Sequence, residues 1–274
     1  MSAKRPNSVR NLDNAIRRLA GQEGYLAART LVANSLVGSL LPAGAIKGGT
    51  SLKLRFGNAT TRFTTDLDAA RAVGIKDFQR ELSERLVRGW KGFDGRVLEG
   101  RQAHPRNVPV DYVMQPFEVK LSYLGKPWCT VSLEVGHDEI GDAENPELVV
   151  ATEANSCLEQ LGFPHLDPIA VMPLRFQIAQ KLHGVTSPNS SRAHDLIDLQ
   201  IIVINANGDI NWHDVRRTCE RLFSYRQMQH WPPRITASPS WSTLYVDQLI
   251  PNVLPTVGEA VTWGNSLIEK IATS

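Results

Sequence analysis

Cysteine is scarce in this sequence. Cys129, Cys157 and Cys219 are odd in number, far apart and never arranged as CxxC, which argues against both a disulfide framework and a structural zinc site. No HxH, HExxH or Cys/His cluster is present to hold a catalytic zinc ion, and no GxSxG marks a serine nucleophile. A P-loop is absent too, since no GxxxxGK[ST] occurs. No apolar run is long enough to span a bilayer, and the polar start MSAKRPNS lacks the apolar centre of a secretion signal. The expectation is a soluble, cytoplasmic protein. Charge of either sign is not in excess: 30 Lys and Arg stand against 28 Asp and Glu, a net +2. Affinity for a polyanion must therefore come from a local patch, such as Lys4, Arg5, Arg10, Arg17 and Arg18, rather than from a global field.

What the chain does have is apolar content, 42% over 274 residues, enough for one large domain or two modest ones. From Asn7 to about Leu41 apolar residues recur at helical spacing, with a break around Gly21 to Gly24, so two helices are expected before Pro42. A short apolar piece at 43–46 runs into Lys47, Gly48, Gly49, Thr50 and Ser51, and a short helix follows that stops at Gly57. Residues 61–70 are rich in β-branched side chains and predict a strand. An amphipathic helix is expected over 75–90, with Phe78, Leu82, Leu86, Val87 and Trp90 on one stripe. Two extended runs then flank a Gly-Lys-Pro turn. Beyond about residue 140 the pattern becomes mostly helical, at roughly 173–186, 191–204, 211–229 and 258–272. The simplest partition is an α/β or α+β first half, 1–150, carrying the N-terminal helices, and a helical half, 151–274.

Asp66 and Asp68 are two apart on the expected strand, so their side chains leave one face and can bind the same hard cations. Phosphoryl chemistry needs such a pair, because two Mg2+ ions (or Mn2+) reduce repulsion between a hydroxyl nucleophile and a triphosphate. An isolated DxD is also a common solvated pair at a strand end. Here Gly48, Gly49, Thr50 and Ser51 lie upstream at a helix start, where glycines admit a phosphate close to the backbone and free N–H groups favour an anion. Thr50 and Ser51 would add hydroxyl donors to the β and γ phosphates, and Lys53 on the same helix is a further candidate for the nucleotide. Glu134 is the candidate third metal carboxylate; alternation with Val131, Leu133 and Val135 puts it on the other face of its strand, either in the site or in solvent. Asp111 is the reserve and Glu118 a distant third. Farther on, Arg192, Asp195 and Asp198 are spaced by three and line one helix face, as a surface charge stripe or as a functional set in which Lys181 contacts the triphosphate while Asp195 orients Lys181 or a bound ribose. His183 and His194 are expected to be structural or surface residues.

LysGlyGlyThrSerLeuLysLeuArgPheGly, ArgPheThrThrAspLeuAsp, GlnLysLeuHisGly and SerArgAlaHisAspLeuIleAspLeu, in that order, together resemble the AbiEii/AbiGii toxin family of nucleotidyltransferases. HisTrpProPro at 230–233 and the closing GluAlaValThrTrpGlyAsnSerLeuIle add to a likeness that spans about residues 42–270. The resemblance implies an α+β fold, with a polymerase-β-type nucleotidyltransferase core of mixed sheet and helices followed by a mostly helical half. It further implies transfer of a nucleoside monophosphate from an NTP to the tRNA 3′ end, and a cognate antitoxin. By motif, Gly48, Gly49 and Thr50 match the family's glycine loop, Asp66 and Asp68 its metal ligands, Lys181 its lysine, and Asp195 its aspartate, with Asp198 the following acidic position. His194 stands where the family commonly has Arg or Lys, and Thr64 and Thr65 where serine is frequent. Thr64 is accordingly a candidate for silencing by a modification that adds charge beside the two carboxylates. Two alternatives stay open: an enzyme of this fold that modifies a protein or small molecule, and an inactive RNA- or partner-binding protein.

Overall fold

The computed structural model describes residues 4–103, 113–206, 208–246 and 250–274. The chain divides into two compact units, Met1–Asn58 with Thr64–Met172, and Ala59–Phe63 with Pro173–Ser274. The division thus falls at Met172 rather than near residue 150, because the stretch up to Val171 supplies strands that hydrogen-bond into the first unit's sheet.

The first unit begins with α1 (Val9–Ser39), started by the Ser8 hydroxyl accepting from the Asn11 N–H at 3.2 Å and bent where Gly21 adopts φ 74°, ψ 170°. There follow β1 (Gly44–Lys47), α2 (Gly48–Phe56), β2 (Leu67–Arg71), α3 (Ile75–Arg88) and β3 (Phe93–Glu99). The unit continues with β4 (Gln115–Tyr123), β5 (Lys126–His137), β6 (Glu147–Val149), α4 (Thr152–Gln160) and β7 (Ile169–Val171). The strand expected over 61–70 is confined to 67–71, since Ala59–Phe63 leaves this unit for the second. Among the described residues the strands form one mixed sheet in the order β3, β4, β5, β2, β1, β7, β6. β2 is central, antiparallel to β1 and parallel to β5. The hairpin between β4 and β5 turns at Leu124 and Gly125, both with positive φ, as a two-residue turn matched to strand twist requires.

β5 shows how the sheet is sided: Trp128, Val131, Leu133 and Val135 are buried while Thr130, Ser132 and Glu134 are exposed. The buried set packs under α1 with Leu31, Val32 and Leu36, each buried side chain contributing about 2 kcal/mol of transfer free energy. Polar residues of the sheet's centre are thereby left on the other face.

The loop after β5 is held by its own carboxylates. Asp138 accepts from the Gly141 and Ala143 N–H groups at 3.1 and 2.7 Å, and Asp142 accepts from the Glu139 N–H at 2.9 Å. Burial pushes the Asp142 carboxyl up to about 7; the hydrogen bond to Asp138 acts in the same direction, while the Glu139 N–H and Lys47 oppose it.

In the second unit are α5 (Leu174–Thr186), α6 (His194–Asn205), α7 (Trp212–Arg226), α8 (Trp241–Val246) and α9 (Val257–Thr273). α9 starts with a reciprocal capping box between Thr256 and Glu259. Gln200 of α6 ties this unit together, donating to the Tyr245 hydroxyl at 3.0 Å and accepting from the Leu254 N–H at 2.8 Å.

The raised Asp142 carboxyl makes a pH prediction. A carboxyl with a stronger proton affinity when folded stabilises the fold fully below its unfolded value of about 4, and that contribution is lost as pH rises through about 7. Asp142→Asn, which mimics the protonated form, is expected to gain melting temperature over wild type at pH 8 and not at pH 4. A difference independent of pH would contradict this.

Candidate active site

The Gly-Gly cluster is the junction between β1 and α2. Lys47 is the N-cap of α2 and its own side chain makes no capping bond, and the partial positive charge of the helix N-terminus favours an anion. Gly48 sits at φ 65°, and a Cβ there would fall on Oδ2 of Asp68. Glycine is required at this position both by the backbone and by the carboxylate pressed against its α-carbon.

Sheet register fixes what stands beside Asp68. Lys47 on β1 is directly opposite Asp68, and Asp68 is directly opposite Glu134 on β5, so the three side chains form one row on one face. Asp66 lies two residues upstream, on the approach to β2, and is exposed. Its backbone is pinned by the hydroxyl of Thr50, which donates to the Asp66 carbonyl at 2.7 Å, and the neighbouring Thr65 carbonyl accepts from Asn34 of α1 at 3.2 Å. Burial, then the charges of Asp68 and Asp66, raise the proton affinity of the Glu134 carboxyl, and Lys47 opposes them. These couplings put the three carboxylates within electrostatic reach of one another.

Among the described residues no three Asp, Glu, His or Cys side chains are drawn together tightly enough to grip a metal by themselves. The donor set is nevertheless of the right chemistry for Mg2+ or Mn2+, hard carboxylate oxygens on adjacent strands beside a helix N-terminus. Asp66 and Asp68 are the residues that would hold such an ion, with Glu134 next to them. Asp111 lies outside the described residues. Glu118 is paired to Lys120 at 2.8 Å on β4 and stands outside the row.

Other expected contacts fall differently. Gly49, Thr50, Ser51 and Lys53 are all buried, and the Thr50 hydroxyl proton is committed to the Asp66 carbonyl. The Thr50 hydroxyl thus ties α2 to the entry to β2, and Gly48 is the partly accessible member of the loop. Of the N-terminal basic residues, Arg5 donates to the Gly162 carbonyl at 2.9 Å and Arg17 lies over the Tyr25 ring, leaving Lys4, Arg10 and Arg18 exposed.

The motif residues of the second unit assemble around Lys181. Its Nζ donates to Asp198 Oδ2 at 2.6 Å and Asp195 Oδ1 at 3.2 Å. Arg62 makes a two-pronged pair with Asp198, at 2.9 and 3.2 Å, and Arg192, just before α6, pairs with Asp195. Both aspartates are essentially inaccessible, so this is a buried network and not a surface stripe. Burial alone would raise both carboxyls, but Lys181 together with Arg192 at Asp195, and with Arg62 at Asp198, holds each well below the usual carboxylate range. His183 is buried, accepts from Arg226 at 3.2 Å, and is pushed down to about 4 by burial and by that arginine.

Lys181→Met leaves two buried carboxylates short of a cation and is expected to cost about 3 kcal/mol of stability. Urea unfolding followed by circular dichroism checks this, and a change below about 1 kcal/mol would assign Lys181 no structural weight.

No curated protein sequence matches the chain. A fold of the same kind occurs in the nucleotidyltransferase toxin MenT4 of Mycobacterium tuberculosis, 19% identical, with 95% of this chain and 98% of that one covered at a TM-score of 0.50. JHP933 of Helicobacter pylori aligns over 90% of this chain and 91% of its own at 14% identity and a TM-score of 0.48. The family model for the nucleotidyl transferase AbiEii toxin of type IV toxin–antitoxin systems matches residues 30–250. This match takes in the Gly-Gly junction, the DxD pair and the Lys181 network, and the chain belongs to the AbiEii nucleotidyltransferase toxin family.

Proposed function

We propose that this chain transfers a nucleoside monophosphate from a Mg2+-bound NTP to an RNA acceptor, the tRNA 3′ end, and thereby stops translation. One observation carries the reading: the Asp68 carboxylate is seated against the bare α-carbon of Gly48 at the N-terminus of α2. Cation ligand and phosphate-binding backbone thus occupy one place. A Mg2+ ion held there by Asp66 and Asp68 would supply charge neutralisation for the triphosphate and for the attacking hydroxyl. The chain's own residues do the rest. Gly48 and the first N–H groups of α2 receive phosphate oxygens. Thr50 and Asn34 hold the backbone of Asp66 and Thr65, so the carboxylates enter the reaction already placed. Glu134 is the third carboxylate, brought in once a bound cation offsets its repulsion from Asp66 and Asp68. Exposed Lys4, Arg10 and Arg18 offer the RNA phosphates a local attraction that the net charge does not.

The family's antitoxin partner acts on this site in our reading. Thr64 is partly accessible, two residues before Asp66. A phosphate on it would bring further negative charge to the carboxylates and oppose binding of the nucleotide.

Incubation with each labelled NTP and total RNA tests the proposal. Label is expected on tRNA, and Asp66→Asn is expected to lower transfer about a thousandfold, the loss that follows removal of a charge-stabilising group, with an unchanged melting temperature. Label confined to protein or small molecules would reject the RNA acceptor, and undiminished transfer by Asp66→Asn would reject the site.

A further inference from the structure

Lys47 has no part in the site as the sequence defines it, yet it stands in the carboxylate row. It is opposite Asp68, and its side chain extends across β2 to β5, where Nζ lies only 3.1 Å from the point a Cβ on Gly136 would occupy. Gly136 is two residues beyond Glu134 on β5 and opposite Ala70. The lysine therefore lies along the floor of the row, and the missing side chains at 136 and beyond the methyl at 70 are what admit it. Its charge is felt on two sides, at Glu134 and at Asp142 in the loop after β5.

We propose that Lys47 is a positioning residue, a resident cation that offsets part of the negative charge of Asp66, Asp68 and Glu134 and so keeps the empty site a weak binder of free divalent metal, making occupancy depend on the nucleotide. The inference rests on the proposed metal-bound NTP site. Three carboxylates alone would attract a divalent ion whether or not substrate was present. With a lysine beneath them the attraction is reduced, and the triphosphate's own ligands are needed to complete the coordination. The same lysine limits the mutual repulsion of the row when no metal is bound.

The test is Mn2+ binding to the metal-free protein, read from the loss of the free-ion electron paramagnetic resonance signal, without and with a non-hydrolysable NTP analogue. Lys47→Met is expected to bind Mn2+ on the order of tenfold more tightly in the absence of nucleotide, from removal of one nearby positive charge, and to show a smaller gain on adding the analogue. Lys47→Arg is expected to restore wild-type binding, because it keeps the charge. Asp68→Asn serves as the control for the underlying reading and is expected to abolish binding in every background. Unchanged Mn2+ affinity in Lys47→Met, with the Asp68→Asn control behaving as expected, overturns the role of Lys47 alone; an Asp68→Asn protein that binds Mn2+ as wild type does overturns the metal site itself. Lys47→Gln repeats the measurement should methionine not be accommodated, and failure of both variants to fold would make Lys47 a stability residue and overturn the proposal.

Discussion

The geometry of the first unit turns on one close approach, that of the Asp68 carboxylate to the α-carbon of Gly48. Any side chain at 48 would take the place of the carboxylate, and the positive φ there sets how β1 hands over to α2. The antiparallel register of β1 and β2 brings Asp68 opposite Lys47, and the parallel register of β2 and β5 brings Glu134 opposite Asp68. Helix dipole, carboxylates and lysine are thus arranged by two strand pairings and one glycine. The Thr50 and Asn34 hydrogen bonds then remove the remaining freedom of the chain entering β2.

The two units use charge in opposite ways. In the first, exposed Asp66 and Glu134 flank Asp68 on a polar sheet face, a surplus of negative charge suited to a ligand that brings positive charge. In the second, Asp195 and Asp198 are inaccessible and matched by Lys181, Arg62 and Arg192. A buried network of this kind adds little over an apolar core when complete but is costly to break, so its value lies in holding α5, α6 and the Arg62 segment in one arrangement. Arg62, which precedes Asp66 by four residues in the sequence, is held within the second unit by Asp198.

Much of this was legible in the sequence where the signal is local. The stop of α2 at Gly57, the Phe78, Leu82 and Leu86 stripe of α3, the β4 and β5 hairpin and α5, α6, α7 and α9 of the second unit follow from spacing and punctuation within a few turns, whereas Val87 is exposed, Trp90 lies past the end of α3, and the six-residue α8 is too short to show a period. β3 was missed because only Phe93 of its seven residues is buried, which leaves no alternation to read. β6 and β7 are three residues each, and α4 is a nine-residue helix in which Thr152, Asn155, Ser156 and Cys157, weaker helix formers, interrupt the pattern and which packs against α1. In the site, the glycine pair and the DxD pair announced themselves, since each is a short-range pattern. The roles of Lys47, Asn34 and Gly136 did not, because they arise from strand register and from contacts between residues some thirty or more positions apart. The bond that Thr50 makes was not legible either: its hydroxyl donates to the Asp66 carbonyl, sixteen residues on.

The central claim, that Gly48, Asp66 and Asp68 together seat a metal-bound triphosphate, is tested most directly by anomalous scattering from crystals grown with Mn2+ and a non-hydrolysable NTP analogue. The account predicts manganese peaks on the Asp66 and Asp68 carboxylates and phosphate density at the N–H groups that open α2. Manganese and triphosphate bound elsewhere, touching neither carboxylate, would contradict it.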